Sequence, residues 1–412
     1  MLLLLSIVNG NSVSTWGAFH AGSACLCAMK PKTTTILAGL AANNATLYHR
    51  IHLVVPDAVV VIDFANGTSV LIVRDIEMGR ARKAGCADRV CCAADFTPEG
   101  GLSGDRDTAL AQAAAECLRR TGETVVTVER TLPYLYAHFI RQAGIGIEYS
   151  EDFGVISRRT KSAGEIEHLR HAQHVTGEAM EFACRTIAHA KPDRDGILHH
   201  DGSELTSERV RAMITAFLLE RNFSNSHDSI VVTVPHVAHC HHFGTGPLKA
   251  DLPVIVDIFP MDNATRYHGD MTRTVVCGEP SAEVIRMHAA VREAKAAACA
   301  ALKPGVTGES VHLVTAAVMK AHGYEMVRGD TDRDAIIPSM RHGTGHGIGL
   351  EVHEPILLDH GGGRIFAGEV FTVEPGLYSA TLGGVRVEDM VAVTADGHEV
   401  LSPVHEGLDW RD

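Results

Sequence analysis

The second half of this 412-residue sequence sets carboxylates inside strongly apolar, β-branched runs, and few folds can absorb them. Asp257 follows Val-Ile-Val in VIVDIF, Glu374 closes FTV ahead of Pro375-Gly376, and Glu388 stands in VRVEDMV. Asp270 lies shortly after Asp257 in GDMTRT, and His346 sits within HGTGHGIGLEVHE. A buried carboxylate is costly unless it is paired or binds a metal, so these strands have to converge on one another or on a cation. Four carboxylates and an imidazole are too many for one divalent ion that must also hold water. They suit two ions sharing bridging carboxylates, an arrangement that points to hydrolysis.

Taken alone, either Asp reads as a strand-end or turn residue. Together, on two strands joined through Met261-Asp262-Asn263 and His268-Gly269, they read as a site. HGTGHGIGLEVHE adds His342 and His353 to His346. Its Gly343, Gly345, Gly347 and Gly349 fall at every second position, which permits close backbone approach and unusual dihedrals. Strand alternation places Arg386 and Glu388 on one face, where the guanidinium would orient the carboxylate and keep it ionised. Upstream, PHVAHCHHFGTGPL offers His239, His241 and His242 as further imidazoles, and the residues themselves do not choose among them.

The rest of the chain narrows the setting. A formal charge of −13 with no Lys/Arg run excludes a nucleic-acid partner, which needs a basic face. Ten cysteines diluted over this length, without a CxxC pair, read as reduced thiols in a cytoplasm. No stretch approaches the roughly 20 apolar residues of a membrane span, so no membrane partner is expected. The opening MLLLLSIV is short for a signal peptide and lacks a preceding basic residue. It reads as a poorly structured leader, or as a start assigned upstream of Met29, with a weak secretory signal as the alternative.

From about Ala58 the pattern is α/β. VVVIDF and TSVLIV flank Asn66-Gly67 as a hairpin, RDIEMGRARKAG is helical, RVCCAADF reads as a strand, and 107–120 as a helix stopped by Thr121-Gly122. VVTVER, LPYLYAHFIRQAG and IGIEYS continue as strand, helix and strand. Ser162 with Glu165 forms a capping-box signature for a long helix ending near Ala188. KPDRDGILHHDG reads as a loop and SELTSERVRAMITAFLLERN as a second helix; strands follow. A helix pair at about 281–302 and 308–322 then precedes the last strands. The order helix, helix, strands occurs twice, a pattern of internal duplication.

These motifs resemble those of the pita-bread metallopeptidases: aminopeptidase P, prolidase, methionine aminopeptidase and their non-metal relative creatinase. The resemblance runs from about Asn44 to the C-terminus and is strongest over residues 230–395. It implies an α+β chain with three parts: a leader at 1–43, a creatinase-type N-terminal α/β domain at 44–158, and a duplicated ααβ catalytic domain at 159–412. It also implies that Asp257, Asp270, His346, Glu374 and Glu388 ligate two divalent ions. Asp270 and Glu388 would bridge, Asp257 would hold one ion, and His346 with Glu374 the other. His342 and His353 match active-site histidines of the proline-specific members, and His241 best matches the upstream one by its place before GTGPL and Asp257.

The activity implied is hydrolysis of an Xaa-Pro bond in a peptide substrate, as aminopeptidase or dipeptidase, by a hydroxide bridging the two ions. Glu374 is the expected proton shuttle; His353 and His241 would stabilise the oxyanion or assist the leaving nitrogen, with His342 and Arg386 in the same catalytic set. Oxygen-rich ligation puts Mn²⁺ first, with Co²⁺, Fe²⁺ or Zn²⁺ as alternatives. A homodimer is expected. The alternatives are a creatinase-like C–N hydrolase working without metal and a binding protein on this scaffold; retention of all five ligands argues against both. Methionine aminopeptidase fits less well because it lacks the N-terminal domain.

Overall fold

The computed structural model describes residues 33–225, 227–327, 336–401 and 403–412. The apolar opening, Met29, Cys25 and Cys27 lie outside the described residues. In the first part, a six-stranded sheet runs in the order Arg89–Cys91, Ser69–Ile72, Val59–Asp63, Thr35–Gly39, Val125–Val128, Gly146–Tyr149. Val59–Asp63 is antiparallel to both neighbours, while the other neighbouring pairs are parallel. Alternation along the strands feeds two cores. Ile36, Val60 and Ile62 face the helices Arg106–Arg120 and Tyr134–Gln142, and Leu37, Val59 and Val61 face Ala45–Ile51 and Met78–Ala84. The hairpin around Asn66-Gly67 is present.

Three local expectations differ. Thr35–Gly39 is a central strand, so the first sheet begins upstream of the expected boundary at Asn44. The strand expected over RVCCAADF stops at Cys91, because the Asp95 carboxylate accepts from the Cys92 amide (2.8 Å) and turns Ala93–Phe96 into a 3-10 turn. The loop expected after Ala188 is a small three-stranded meander. Asp193 Oδ1 takes the amides of Asp195 and Ile197 and reverses the chain between Lys191–Pro192 and Leu198–His200.

The second part contains the two expected repeats. Helix Ala163–Ala188, opened by the Ser162/Glu165 capping box, packs with Ser207–Leu219 on strands Pro253–Ile258 and Met271–Val276. Helices Ala282–Ala301 and Gly308–Ala321 cover the strands between Val370 and Val393 in the same way. The strands of both repeats meet in the middle, and the cavity described next opens there. No described helix is long and apolar enough to cross a membrane.

Candidate metal centre

Strands Pro253–Ile258 and Met271–Val276 pair antiparallel with Asp257 opposite Thr272, which brings Asp270 alongside Asp257 at the hairpin's inner end. Helix Ala163–Ala188 braces this corner: Gln173 donates to the Asp270 carbonyl (2.7 Å) and accepts from its amide (2.8 Å). From the second repeat come His346 on Gly345–Gly347, Glu374 just past Val370–Val373, and Glu388 just ahead of Asp389–Val393. All five line one cavity of about 1090 Å³. His346 Nε2 lies 3.8 Å from Asp270 Oδ2 and 3.6 Å from Glu374 Oε1.

This cluster fits divalent metal on its own geometry. Donor atoms of Asp270, His346 and Glu388 lie within 4.8 Å of one another. Asp257 Oδ1 is buried without a hydrogen-bond partner, a costly state that a cation relieves. The donor set is oxygen-rich with one imidazole, as Mn²⁺-type ions prefer. The charges press on one another. Burial, then Glu388, Asp257 and Glu374, push the Asp270 carboxyl well above the usual range. Glu388 is raised by burial and then by Glu374 and Asp257. Burial also lifts Glu374, to about 7, against the pull of Arg386. Burial, then neighbouring His353, lowers His346 to about 3, which leaves it a neutral ligand.

Arg386 is buried here and its charge favours the ionised form of Glu388, as expected, but its hydrogen bonds go to other partners. Its Nη2 donates to Asp257 Oδ2 (2.6 Å), its Nη1 to the Tyr378 hydroxyl (2.9 Å) and its Nε to Thr272 Oγ1 (3.1 Å). The chain leaves one sheet at Arg386 and enters another at Asp389, so Arg386 and Glu388 do not share a simple strand face. Glu388 is instead oriented by Thr272, which donates to its Oε2 (2.7 Å).

His241, His342 and His353 all line the cavity. The ring of His353 lies 4.3 Å from that of His346, centroid to centroid. His342 Nε2 meets the Tyr378 hydroxyl at 2.6 Å. His242 is used locally: its Nδ1 accepts from the Gly244 amide and its ring stacks on His236. His239 is exposed and not part of the wall, so of these three candidates His241 is the one that reaches the cavity, which His227 also lines.

The glycines of the His346 segment serve close approach alone; none of the four has a positive φ. A Cβ on Gly345 would stand 1.9 Å from the Thr372 carbonyl oxygen, and one on Gly347 2.7 Å from that of Pro355. Sequence reasoning missed Tyr378, Thr272 and Gln173. Gln173 had left a signal: a long polar side chain among the small and apolar residues of a buried helix face. It also missed that Asn43 and Tyr48, from the first part of the chain, line the cavity.

A family model described as metallopeptidase family M24 matches residues 167–395. An Xaa-Pro dipeptidase from Pyrococcus furiosus is 29% identical over 288 residues, which span 68% of this chain and 74% of that protein. Among solved structures, the prolidase from Pyrococcus horikoshii OT3 superposes with a TM-score of 0.73 at 21% identity, covering 91% of this chain and 95% of that one. The Xaa-Pro dipeptidase from Bacillus anthracis gives 0.74 at 23% identity, covering 91% and 94%. The α+β architecture is therefore the pita-bread fold of these structures. With the family's match across more than half its length and a carboxylate-lined cavity between its repeats, the chain belongs to metallopeptidase family M24.

Proposed function

We propose that this metallopeptidase hydrolyses Xaa-Pro bonds at the N-terminus of peptides or in dipeptides, using two divalent ions held by Asp257, Asp270, His346, Glu374 and Glu388. The observation that carries the proposal is the meeting of all five side chains with His241, His342 and His353 in one cavity. The Xaa-Pro dipeptidases among the relatives support the proline preference. Asp270 and Glu388 would be shared between the ions in this reading, and Mn²⁺ is the first choice of ion. Bound there, the ions lower the pKa of water and polarise the scissile carbonyl.

The chain's own groups do the rest. Glu374 takes the proton released at the attacking oxygen and returns it toward the leaving nitrogen. His353 and His241 donate to the oxygen that gains charge as the carbonyl becomes tetrahedral. Arg386 holds Asp257 in place through the 2.6 Å bond and balances part of the crowded negative charge. Tyr378 bridges Arg386 and His342, fixing both on one wall. Asn43 and Tyr48 narrow the cavity from the side of the first sheet, consistent with short substrates. We also propose a cytoplasmic homodimer, a setting that suits the reduced, mostly buried thiols at Cys91, Cys117, Cys184, Cys277 and Cys299.

The test is an assay of Mn²⁺-loaded protein on Xaa-Pro dipeptides, Xaa-Pro-Xaa tripeptides and matched Xaa-Ala controls. Metal-dependent cleavage of the proline substrates alone is expected. Absence of cleavage of all three sets overturns the peptidase assignment at this site, and equal cleavage of the Xaa-Ala set overturns the proline preference. Comparing dipeptides with tripeptides separates dipeptidase from aminopeptidase.

A further inference from the structure

The wall that carries His353 is held from behind by a charged clamp that no step above uses. Glu354 follows His353 and is buried, its side chain 2% exposed. Its Oε1 accepts from Arg158 Nη1 (2.7 Å) and from the Leu350 amide (3.2 Å), and its Oε2 accepts from Lys161 Nζ (2.9 Å). The two cations are buried as well, at 8% and 3% side-chain exposure. Arg158 also donates from Nη2 to Glu351 Oε2 (2.7 Å) and from Nε to the Gly154 carbonyl (3.0 Å). A Cβ on Gly349 would lie 2.8 Å from Glu354 Oε2, so the loop is drawn tightly around this carboxylate.

Arg158 and Lys161 stand in the connection between Gly146–Tyr149, the edge strand of the first sheet, and helix Ala163–Ala188. The connection is fixed in turn, with the Lys161 amide donating to the Gly368 carbonyl (2.8 Å). Apolar side chains of similar volume would fill this space at lower desolvation cost. What charge-assisted hydrogen bonds add is direction: they hold a loop in one orientation. The loop in question presents an imidazole 4.3 Å, ring to ring, from the ligand His346.

We infer that Glu354, Arg158 and Lys161 are positioning residues that set the His353 imidazole over the reacting centre, which makes the connection between the two parts of the chain a determinant of turnover. The inference rests on the role proposed for His353.

The experiment uses full-length, metal-loaded Lys161→Met and Lys161→Arg, each also in a His353→Ala background, with Glu354→Gln taking the place of Lys161→Met if that variant fails to fold. Lys161→Met is expected to lower kcat roughly 10-fold or more with KM and metal content unchanged. Lys161→Arg should recover most of the loss. In the His353→Ala background the same substitution should change kcat by less than about 2-fold, because its effect runs through the missing imidazole. Hydrogen–deuterium exchange should rise at 349–354 in Lys161→Met. The inference is overturned by an equal kcat loss with and without His353, or by unchanged exchange at 349–354. A wild-type protein inactive on every Xaa-Pro substrate is the separate failure of the functional reading; the exchange measurement still decides whether the clamp holds the loop.

Discussion

Replacing Gly345 by Ala puts a methyl group where the neighbouring strand has a carbonyl. The new Cβ would stand 1.9 Å from Thr372 O and 2.7 Å from its carbon, while real Cβ contacts essentially never fall below 3.0 Å. The obstacle is backbone, so no rotamer change relieves it, and the two strands must separate by roughly 1 Å or twist. Overpacking of this kind costs about 1–3 kcal/mol of stability. The larger effect is on chemistry. The next residue is His346, whose amide donates to Thr372 Oγ1 (3.1 Å) and whose Nε2 faces Asp270 and Glu374. A displacement of about 1 Å in a catalytic group lowers rate on the order of 100-fold.

Gly345→Ala should therefore lose about two orders of magnitude in kcat/KM and bind metal more weakly, with a loss of urea stability about 1–3 kcal/mol. Gly363→Ala is the control. Its nearest neighbour is a side-chain carbon at 4.0 Å, so activity should be unchanged and stability within about 0.5 kcal/mol of wild type. Steady-state kinetics, metal content by mass spectrometry and urea titration read the three quantities. Wild-type rate and metal content in Gly345→Ala would refute the argument that close approach is what this glycine provides.

Four further outcomes follow from the geometry and the charges it brings together. Arg386→Met leaves Asp257 buried without its ion-pair partner, and the metal-free protein should lose about 3–5 kcal/mol at neutral pH in urea unfolding; a loss under 1 kcal/mol contradicts the pairing. Near pH 7, loading the metal-free protein should release protons, because Asp270, Glu374 and Glu388 have raised pKa values there; calorimetry in buffers of different ionisation enthalpy measures them. The same raised carboxyls add stability to the metal-free protein below about pH 4, and that contribution fades as pH rises through about 7 for Glu374. Glu165 behaves oppositely. Burial raises its carboxyl, but hydrogen bonds from His49, Tyr267 and the Ser162 cap prevail and hold it well below the usual range. Its contribution is present above about pH 5 and is lost as pH falls, so Glu165→Gln should flatten the acid limb of the stability curve below that pH.

The carboxylate cluster was legible because the sequence puts charge where solvation cannot reach it. Asp257 after Val-Ile-Val and Glu374 after Phe-Thr-Val have no bland explanation once the strands are buried. The long helix was legible through a local device, the Ser162/Glu165 box. What stayed hidden depends on side-chain direction after a turn or on contacts distant in the chain. Nothing in PHVAHCHH distinguishes His241 from His242 until the Gly244 amide and His236 claim the latter. Arg386 was placed beside Glu388 by alternation, but the step between two sheets at 387–388 sends it to Asp257, more than a hundred residues upstream. Thr35–Gly39 was missed because its five residues are too short to show a period, and its burial comes from neighbours on both edges.

The bonds that orient the cavity's carboxylates are also the bonds that join the repeats. Thr272, from the first repeat, donates to Glu388 of the second (2.7 Å), and the Glu388 amide donates to the Thr272 carbonyl (3.0 Å). Thr274 and Arg386 exchange two bonds, from the Arg386 amide to Thr274 Oγ1 (3.1 Å) and from that hydroxyl to the Arg386 carbonyl (3.0 Å). The Arg386 guanidinium then reaches back across the seam to Asp257. Each repeat alone would expose carboxylates with no partner to orient them; the arrangement becomes complete only when the two close on each other. Closure brings like charges together, which opposes folding until a cation or a proton offsets them. A cation bound there would relieve that opposition, which links cation affinity to how firmly the repeats hold together.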